Sequence, residues 1–255
     1  MIDSDARTWR AIVDEHADDL LRFARSFGGS SADAEDLVQD AFLRAYRARD
    51  GYRADASLRT WLHSIVRNLA IDRARRPERE LSMDDVEDAW HDDAYTVDAA
   101  EVVAAAERSD ELSDALSRLS HAYRAVVVLH DVEGWTVAEI ATALDLGLPA
   151  AKQRLRRGRM ALVSALAGDP GRPRTPVGVP LRCWDARRHV SDYLDDLLDA
   201  GTRAQVEAHL AGCPTCPALA AALVGTTAAL SGSRDPDVVF APDLAERIAS
   251  RLDAP

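Results

Sequence analysis

Apolar side chains recur at three- and four-residue steps through residues 33–76, which predicts two successive amphipathic helices. The first, DAEDLVQDAFLRAY, has acids at its start and arginines at its end, as the helix dipole favours. The second has Ser57 as an N-cap and ends in arginines before Pro77. Its predicted apolar side comprises Leu58, Trp61, Leu62, Ile65, Leu69 and Asp72, and its outer side Thr60, His63, Arg67 and Ala74.

A later segment has the pattern of a helix-turn-helix. Thr136 and Glu139 form a capping box that opens a short helix through Ala143, and Gly147 and Pro149 suit the start of the next helix. That helix is expected to bury Leu148, Ala151, Leu155 and Leu162. Residues 149–164 hold five basic side chains and no acid, as a helix in the DNA major groove requires.

The basic side chains of this helix have different expected contacts. Gln153 and Arg157 are best placed for base edges, and Arg154 and Arg156 for phosphates. Lys152 lies nearer the edge of the core.

Composition favours an all-α protein, because Ala, Leu, Arg, Asp and Glu dominate and aromatic residues make up 5% of the chain. The start is charged, and no apolar run approaches the roughly 20 residues of a membrane span, so we expect a cytoplasmic protein. The net charge of −12 is concentrated in residues 77–107, which carry eleven acids and one basic residue. Such a composition indicates a solvated tether, for which we also expect a helix near its end, and a positive field near DNA would be local.

Changes in composition and charge along the sequence divide the chain into three helical modules and their connections. The predicted segments are a first helical domain at 5–76, an acidic linker at 77–107, the helix-turn-helix domain at 108–165, a Pro/Gly-rich linker at 166–182, a small helical domain at 183–230 and a tail at 231–255 with a short helix from about Asp243.

The third module holds every cysteine of the chain. Cys183, His209, Cys213 and Cys216 have the spacing of a tetrahedral, structural Zn²⁺ site with no open position for catalytic water. His189 is a rival ligand, and ordinary reduced core cysteines are the alternative interpretation.

The 33–76 segment resembles region 2 of bacterial extracytoplasmic-function sigma factors. The resemblance implies that Asp36, Gln39 and Asp40 dock on the clamp helices of the polymerase's largest subunit. It also implies that the loop from Tyr52 to Ser57 holds a flipped base of the promoter's minus-10 element. The implied minus-10 contacts are Tyr52, Arg53, Arg59, His63 and Arg67. Spacing alone is equally typical of a solvated basic helix.

The other two modules also resemble sigma-related domains. Residues 108–165 resemble sigma region 4, which reads the minus-35 element, although Pro149, Ala150 and Ala151 replace the family's small polar residues. Residues 183–230 resemble the zinc-binding anti-sigma domain, which clamps a sigma factor and is usually a separate protein.

Together the three modules predict a sigma factor without catalysis of its own. Its expected partners are core RNA polymerase, through the beta and beta-prime subunits, and promoter DNA, with no membrane. Its zinc domain is expected to contact the sigma domains and adjust their activity in cis. The zinc is structural or redox-responsive, and in the second case Cys183 pairs with Cys213 or Cys216. The alternatives are a helix-turn-helix regulator that does not act as sigma, and a zinc hydrolase, which full ligation of the ion disfavours.

Overall fold

The computed structural model describes residues 6–27, 31–52, 56–73, 80–167 and 180–233. These residues form twelve α-helices and no strand, which confirms the all-α prediction for the described part of the chain. Arg53 and the helix predicted from about Asp243 lie outside it. The helices are α1 (Ala6–Arg25), α2 (Ser31–Ala48), α3 (Leu58–Arg73), α4 (Met83–His91), α5 (Ala99–Glu107), α6 (Ser109–Ser117), α7 (His121–Val127), α8 (Val137–Ala143), α9 (Leu148–Leu166), α10 (Cys183–Leu194), α11 (Ala200–Gly212) and α12 (Cys216–Gly232).

Helices α1, α2 and α3 pack on one another around fully buried aromatic and aliphatic side chains. Trp9, Phe23, Phe42 and Leu62 have no exposed surface, and they come from all three helices. The N-terminus of α3 is capped as predicted, because the backbone N–H of Thr60 donates to the Ser57 hydroxyl at 3.1 Å. This bundle fixes the orientation of α3, the helix with the predicted minus-10 residues.

The helix-turn-helix consists of α8 and α9, preceded by α7 and a π-helical turn at Val128–Val132. Both halves of the capping box at Thr136 and Glu139 form, and Gly147 is the N-cap of α9. Helix α7 approaches α9 closely at Gly158, where an added Cβ would lie 2.6 Å from Val127 Cγ2. The prediction that Leu148 is buried was wrong: it is 47% exposed, because it is the first residue of α9 and precedes the packed turns.

The prediction of a solvated tether at 77–107 was wrong for its described residues, although the helix expected near its end forms as α5. Helices α4 and α5 form there, with Val86, Trp90, Val97 and Val102 buried in the common core. The Trp90 indole N–H donates to Ser164 Oγ of α9 at 3.1 Å. The acids occupy caps and outer faces, so a few apolar residues at helical spacing suffice to bury one side of each helix.

Helices α10, α11 and α12 form the cysteine-bearing unit, which packs against the linker helices and α9. Gly225 of α12 lies so near α5 that an added Cβ would be 2.1 Å from Val103 Cγ2. The buried Arg159 of α9 donates to Asp131 at 2.6 Å and to Asp195 of the cysteine-bearing unit at 2.9 Å. Close helix packing thus joins this unit to the linker, and an ion pair joins it to the helix-turn-helix, as the predicted intramolecular contact requires.

Within the described ranges, no single helix is long and apolar enough to cross a bilayer. The bent pair Ala200–Gly212 and Cys216–Gly232, at 114°, passes the same length and composition test when its members are taken together.

Candidate metal centre and nucleic-acid interface

The four predicted metal ligands come together. Cys183 begins α10, His209 lies in the last turn of α11, Cys213 follows that helix and Cys216 begins α12. Their ligand atoms all lie within 4.8 Å of one another, and all four residues are buried. Cys183 Sγ and Cys213 Sγ are 3.6 Å apart, close to the roughly 3.8 Å between two thiolates on a tetrahedral zinc with bonds of about 2.3 Å. The donor set therefore fits one Zn²⁺ ion.

His209 is oriented as a metal ligand. Its Nδ1 lies 2.9 Å from the Leu181 carbonyl oxygen, to which a protonated Nδ1 donates. Its Nε2 is buried and has no hydrogen-bond partner in the described structure, so a lone pair is free for the ion. Burial also lowers the pKa of His209, which favours the neutral, ligating imidazole. The rival His189 is not part of this cluster.

Arg187 of α10 links this cluster to the linker. Its Nε donates to Cys216 Sγ at 3.3 Å, and its two terminal nitrogens donate to the carbonyl oxygens of Trp90, Asp92 and Tyr95 at 2.6 to 2.8 Å. The side chain is 1% exposed. One guanidinium therefore contacts both a predicted metal ligand and three carbonyl groups at and after the C-terminal end of α4.

The predicted minus-10 surface of α3 is covered by the helix-turn-helix. His63 was expected on the outer side but is fully buried between the rings of Phe23 and Trp135, at 5.1 and 4.6 Å between centroids. Burial lowers the pKa of His63 to about 4, so the imidazole is neutral at pH 7. The prediction that His63 faces outward was wrong, because α8 packs on α3. Periodicity within one helix cannot reveal such an interface between distant segments.

Thr60 and Arg59 are also covered by neighbouring segments, to different degrees. Thr60, also expected outside, is buried. Arg59 forms an ion pair with Asp19 at 3.2 Å, approaches Glu133 at 3.9 Å and stacks its guanidinium 4.6 Å from the centre of the Trp135 ring. Arg59 therefore already has anionic and aromatic partners within the chain.

The remaining minus-10 residues lie at the edge of this interface. Tyr52 donates its hydroxyl to the Ala56 carbonyl at 2.7 Å, and its ring is 5.0 Å from that of Trp61. Trp61, expected in the core, is only partly buried. Burial lowers the pKa of Arg67, and the nearby Arg154 cation lowers it further. The proximity of Arg67 and Arg154 brings basic residues of α3 and α9 side by side.

The predicted minus-35 surface of α9 is partly occupied by α4. Gln153 is exposed, and Lys152 and Arg154 are half-buried. Arg157 instead donates from Nε and Nη2 to both carboxylate oxygens of Glu87, each at 2.8 Å. Arg156 lies 3.6 Å from Glu87 and stacks 5.1 Å from the ring centre of Trp184 in α10. Together with Arg159, which pairs with Asp195, three of the five basic residues are thus held by the linker or the cysteine-bearing unit.

The three predicted polymerase contacts on α2 differ in exposure. Asp36 is exposed, and Asp40 is half-exposed and forms an ion pair with Arg73 of α3. Gln39, expected on the polar outer face, is 6% exposed, because it sits one position beyond the apolar stripe in a bundle that packs α2 on two sides. Only Asp36 and Asp40 present side-chain surface in this arrangement.

Glu87 and Arg187, two residues that connect the modules, were not predicted from the sequence. Glu87 is one acid among many in the linker, and only the neighbouring Val86 and Trp90, at helical spacing, signal that α4 packs on another element. Arg187 lies four residues after Cys183, one helical turn from a metal ligand, which was a usable signal.

Comparison with protein families matches residues 12–80 to sigma-70 region 2, residues 109–162 to sigma-70 region 4, and residues 183–216 to a zinc-finger family. The extracytoplasmic-function (ECF) RNA polymerase sigma factor SigE of Mycolicibacterium smegmatis is 34% identical over 160 residues, covering 63% of this chain and 62% of its own length. SigL of Mycobacterium tuberculosis, also an ECF RNA polymerase sigma factor, is 35% identical over 160 residues, covering 62% of this chain and 89% of its own.

A solved structure of the sigma factor RpoE with the anti-sigma factor NepR from Bartonella quintana aligns with 58% of this chain and 89% of that chain. Its TM-score is 0.41 and its sequence identity 22%.

The two sigma domains and the relatives establish the class of protein as a sigma-70-type transcription factor. Within that class, the chain belongs to the ECF RNA polymerase sigma factors, with a zinc-finger unit fused after region 4.

Proposed function

We propose that this protein binds core RNA polymerase, directs it to minus-10 and minus-35 promoter elements, and is held inactive in cis by its zinc-finger unit. Family membership and the two matched sigma regions support the first part. Asp36 and Asp40 of α2 are the proposed contacts to the beta-prime clamp, with Gln39 available only if α2 loosens from its neighbours. The chain would act in the cytoplasm, where RNA polymerase is found.

One observation carries the inhibitory part of the proposal: the same chain occupies both proposed promoter-reading surfaces. On α3, His63 and Arg59 face Trp135 and Glu133 of the helix-turn-helix. On α9, Arg157 is held by Glu87. Promoter elements minus-10 and minus-35 are separate stretches of DNA, so α3 and α9 must separate before both can be read. We call this arrangement the closed state.

The zinc-finger unit is the part of the chain that is best placed to maintain the closed state. It contacts both the linker, through Gly225 against Val103, and α9, through the buried pair of Arg159 and Asp195. A buried ion pair that loses one partner leaves an uncompensated charge, so separation of these elements is costly. Together these contacts hold the linker helix α5 and α9 against the zinc-finger unit.

The four ligands would hold one zinc ion that ties α10, α11 and α12 together, with every coordination position filled by protein. Its role would be structural. Cys183 and Cys213 are also placed for a redox response, in which peroxide oxidises two thiolates to a disulfide, is itself reduced to water, and zinc is released. Peroxide that neither releases zinc nor changes transcription would rule the redox role out.

Transcription by core polymerase on a promoter library tests the proposal. Full-length protein should give weak promoter-dependent transcripts, and a chain that ends at Ala167 should give stronger ones from the same promoters. If neither chain yields promoter-dependent transcripts or co-purifies with core polymerase, the sigma assignment fails and a helix-turn-helix regulator remains. If both are equally active, regulation in cis fails while the sigma assignment stands.

A further inference from the structure

Arg187 is a buried cation that forms no ion pair with a carboxylate among the described residues. Its described partners are the three linker carbonyls, Cys216 Sγ and the Thr215 hydroxyl at 3.3 Å. Carbonyl and hydroxyl oxygens satisfy its N–H groups but carry no net charge. A buried guanidinium is costly without a compensating anion. The group that can supply that anion is the cysteine cluster at Cys216.

Zinc in the cysteine cluster would supply this counter-charge. Three thiolates and a neutral imidazole around Zn²⁺ carry a net charge of about −1. The ion would also fix Cys216 Sγ, to which Arg187 donates at 3.3 Å. A hydrogen bond from Arg187 to the Cys216 thiolate is the kind of outer contact that stabilises a metal site.

The three carbonyl acceptors connect Arg187 to the promoter-reading helix. Trp90 belongs to α4, and Asp92 and Tyr95 follow it directly, so Arg187 fixes the C-terminal end of α4. Glu87 lies one turn earlier on that helix and holds Arg157. On the same side, Trp184 of α10 stacks on His91 at 3.6 Å between ring centres and meets Arg156. Freeing the end of α4 would therefore loosen the cover over α9.

We propose that Arg187 is a positioning residue that couples the metal centre to the linker, so that zinc binding and the closure of α4 over α9 reinforce each other. The proposal deepens the proposed cis regulation, because it names the residue through which the zinc-finger unit acts on the linker. Coupling between two sites is reciprocal, so closure of the linker must also raise zinc affinity.

The test measures zinc affinity and linker opening in the full-length protein, without polymerase or DNA. Zinc affinity is obtained by competition with a chromophoric chelator, and opening by hydrogen exchange in peptides covering residues 83–97. In the unmodified protein, removal of zinc should accelerate exchange in 83–97 as well as around the ligands. In Arg187→Gln, zinc affinity should fall about 10- to 100-fold, and 83–97 should exchange fast with or without zinc.

Two further variants separate coupling from damage to the fold. Arg188→Gln removes the neighbouring exposed arginine, which forms an ion pair with Asp185 at 3.9 Å, and should behave like the unmodified protein in both measurements. Arg187→Lys keeps a cation beside Cys216 but cannot reach all three carbonyls. It should retain most of the zinc affinity while the linker exchanges fast. Circular dichroism verifies that each variant keeps its helices.

The proposal is overturned if Arg187→Gln binds zinc as tightly as Arg188→Gln, or if its linker exchange still follows zinc removal. It is also overturned if zinc removal from the unmodified protein leaves 83–97 protected. These outcomes are independent of the proposed function, which is tested by transcription. Coupling without any effect on transcription would refute regulation in cis and leave the role of Arg187 intact.

Discussion

The contact between Glu87 and Arg157 should set how readily α9 becomes available to DNA. The carboxylate accepts two hydrogen bonds of 2.8 Å from Arg157 and lies 3.6 Å from Arg156. Side-chain exposure is 17% for Glu87 and 30% for Arg157, so the pair is partly screened by water. Glu87→Gln removes the charge while keeping the size of the side chain.

The magnitude follows from the geometry. A hydrogen bond to a charged group contributes about 1.5–3 kcal/mol when buried, and exposed ion pairs about 0–1 kcal/mol. For this partly buried bidentate pair we expect a loss of about 1–2 kcal/mol, a factor of about 5–30 in the closed-to-open equilibrium. When the closed state predominates, that factor should pass fully into the apparent affinity for promoter DNA.

The assay is a titration of a fluorescent promoter duplex, selected from a library, with core polymerase and full-length protein. Glu87→Gln should bind about 5- to 30-fold more tightly than the unmodified protein. Asp88→Asn is the matched control, since it removes the same charge from the exposed side of α4. Equal affinities for Glu87→Gln and Asp88→Asn would refute the reasoning, because the gain would then reflect net charge alone.

Three further predictions probe other contacts of the closed state. Gly225→Ala should push α12 off α5 at a cost of about 1–3 kcal/mol, seen as increased transcription, whereas Gly232→Ala, with open space around it, should not. Because the pKa of His63 is about 4 in the closed state and near 6.5 when exposed, closure should be fully stable above pH 6.5. As the pH falls from 6.5 to 4, the closed state should lose up to about 3 kcal/mol of stability. Hydrogen exchange in α3 should therefore become faster in acid, and this increase should be smaller in His63→Leu. Gly158→Ala should lower the thermal unfolding midpoint by overpacking α7 against α9, and Gly232→Ala should change it little; similar midpoints would contradict the packing argument.

Local signals in the sequence predicted the local structure. The capping box at Thr136, the N-caps at Ser57 and Gly147, and the grouping of Cys183 with His209, Cys213 and Cys216 all form as expected. The caps depend on residues that are close in sequence, and the grouping of the four ligands depends on the tetrahedral coordination that one zinc ion prefers.

The hydrophobic periodicity did not predict contacts between segments that are distant in the sequence. His63 is on the polar side of α3 by spacing, but α8 buries it, and the ring of Trp135 replaces solvent. The linker has the charge of a solvated segment, yet Val86 and Trp90 provide enough apolar surface to dock α4 on α9. In both cases a tertiary interface overrides the composition of the segment, and a single sequence contains no direct record of which surfaces meet.

The central claim is that the zinc-finger unit keeps a functional sigma factor closed. Run-off transcription with core polymerase, comparing full-length protein, Gly225→Ala and the chain ending at Ala167 on one selected promoter, tests it most directly. We expect promoter-dependent transcripts that rise in that order. It is contradicted if the full-length protein is the most active of the three, or if none of them supports initiation at the promoter.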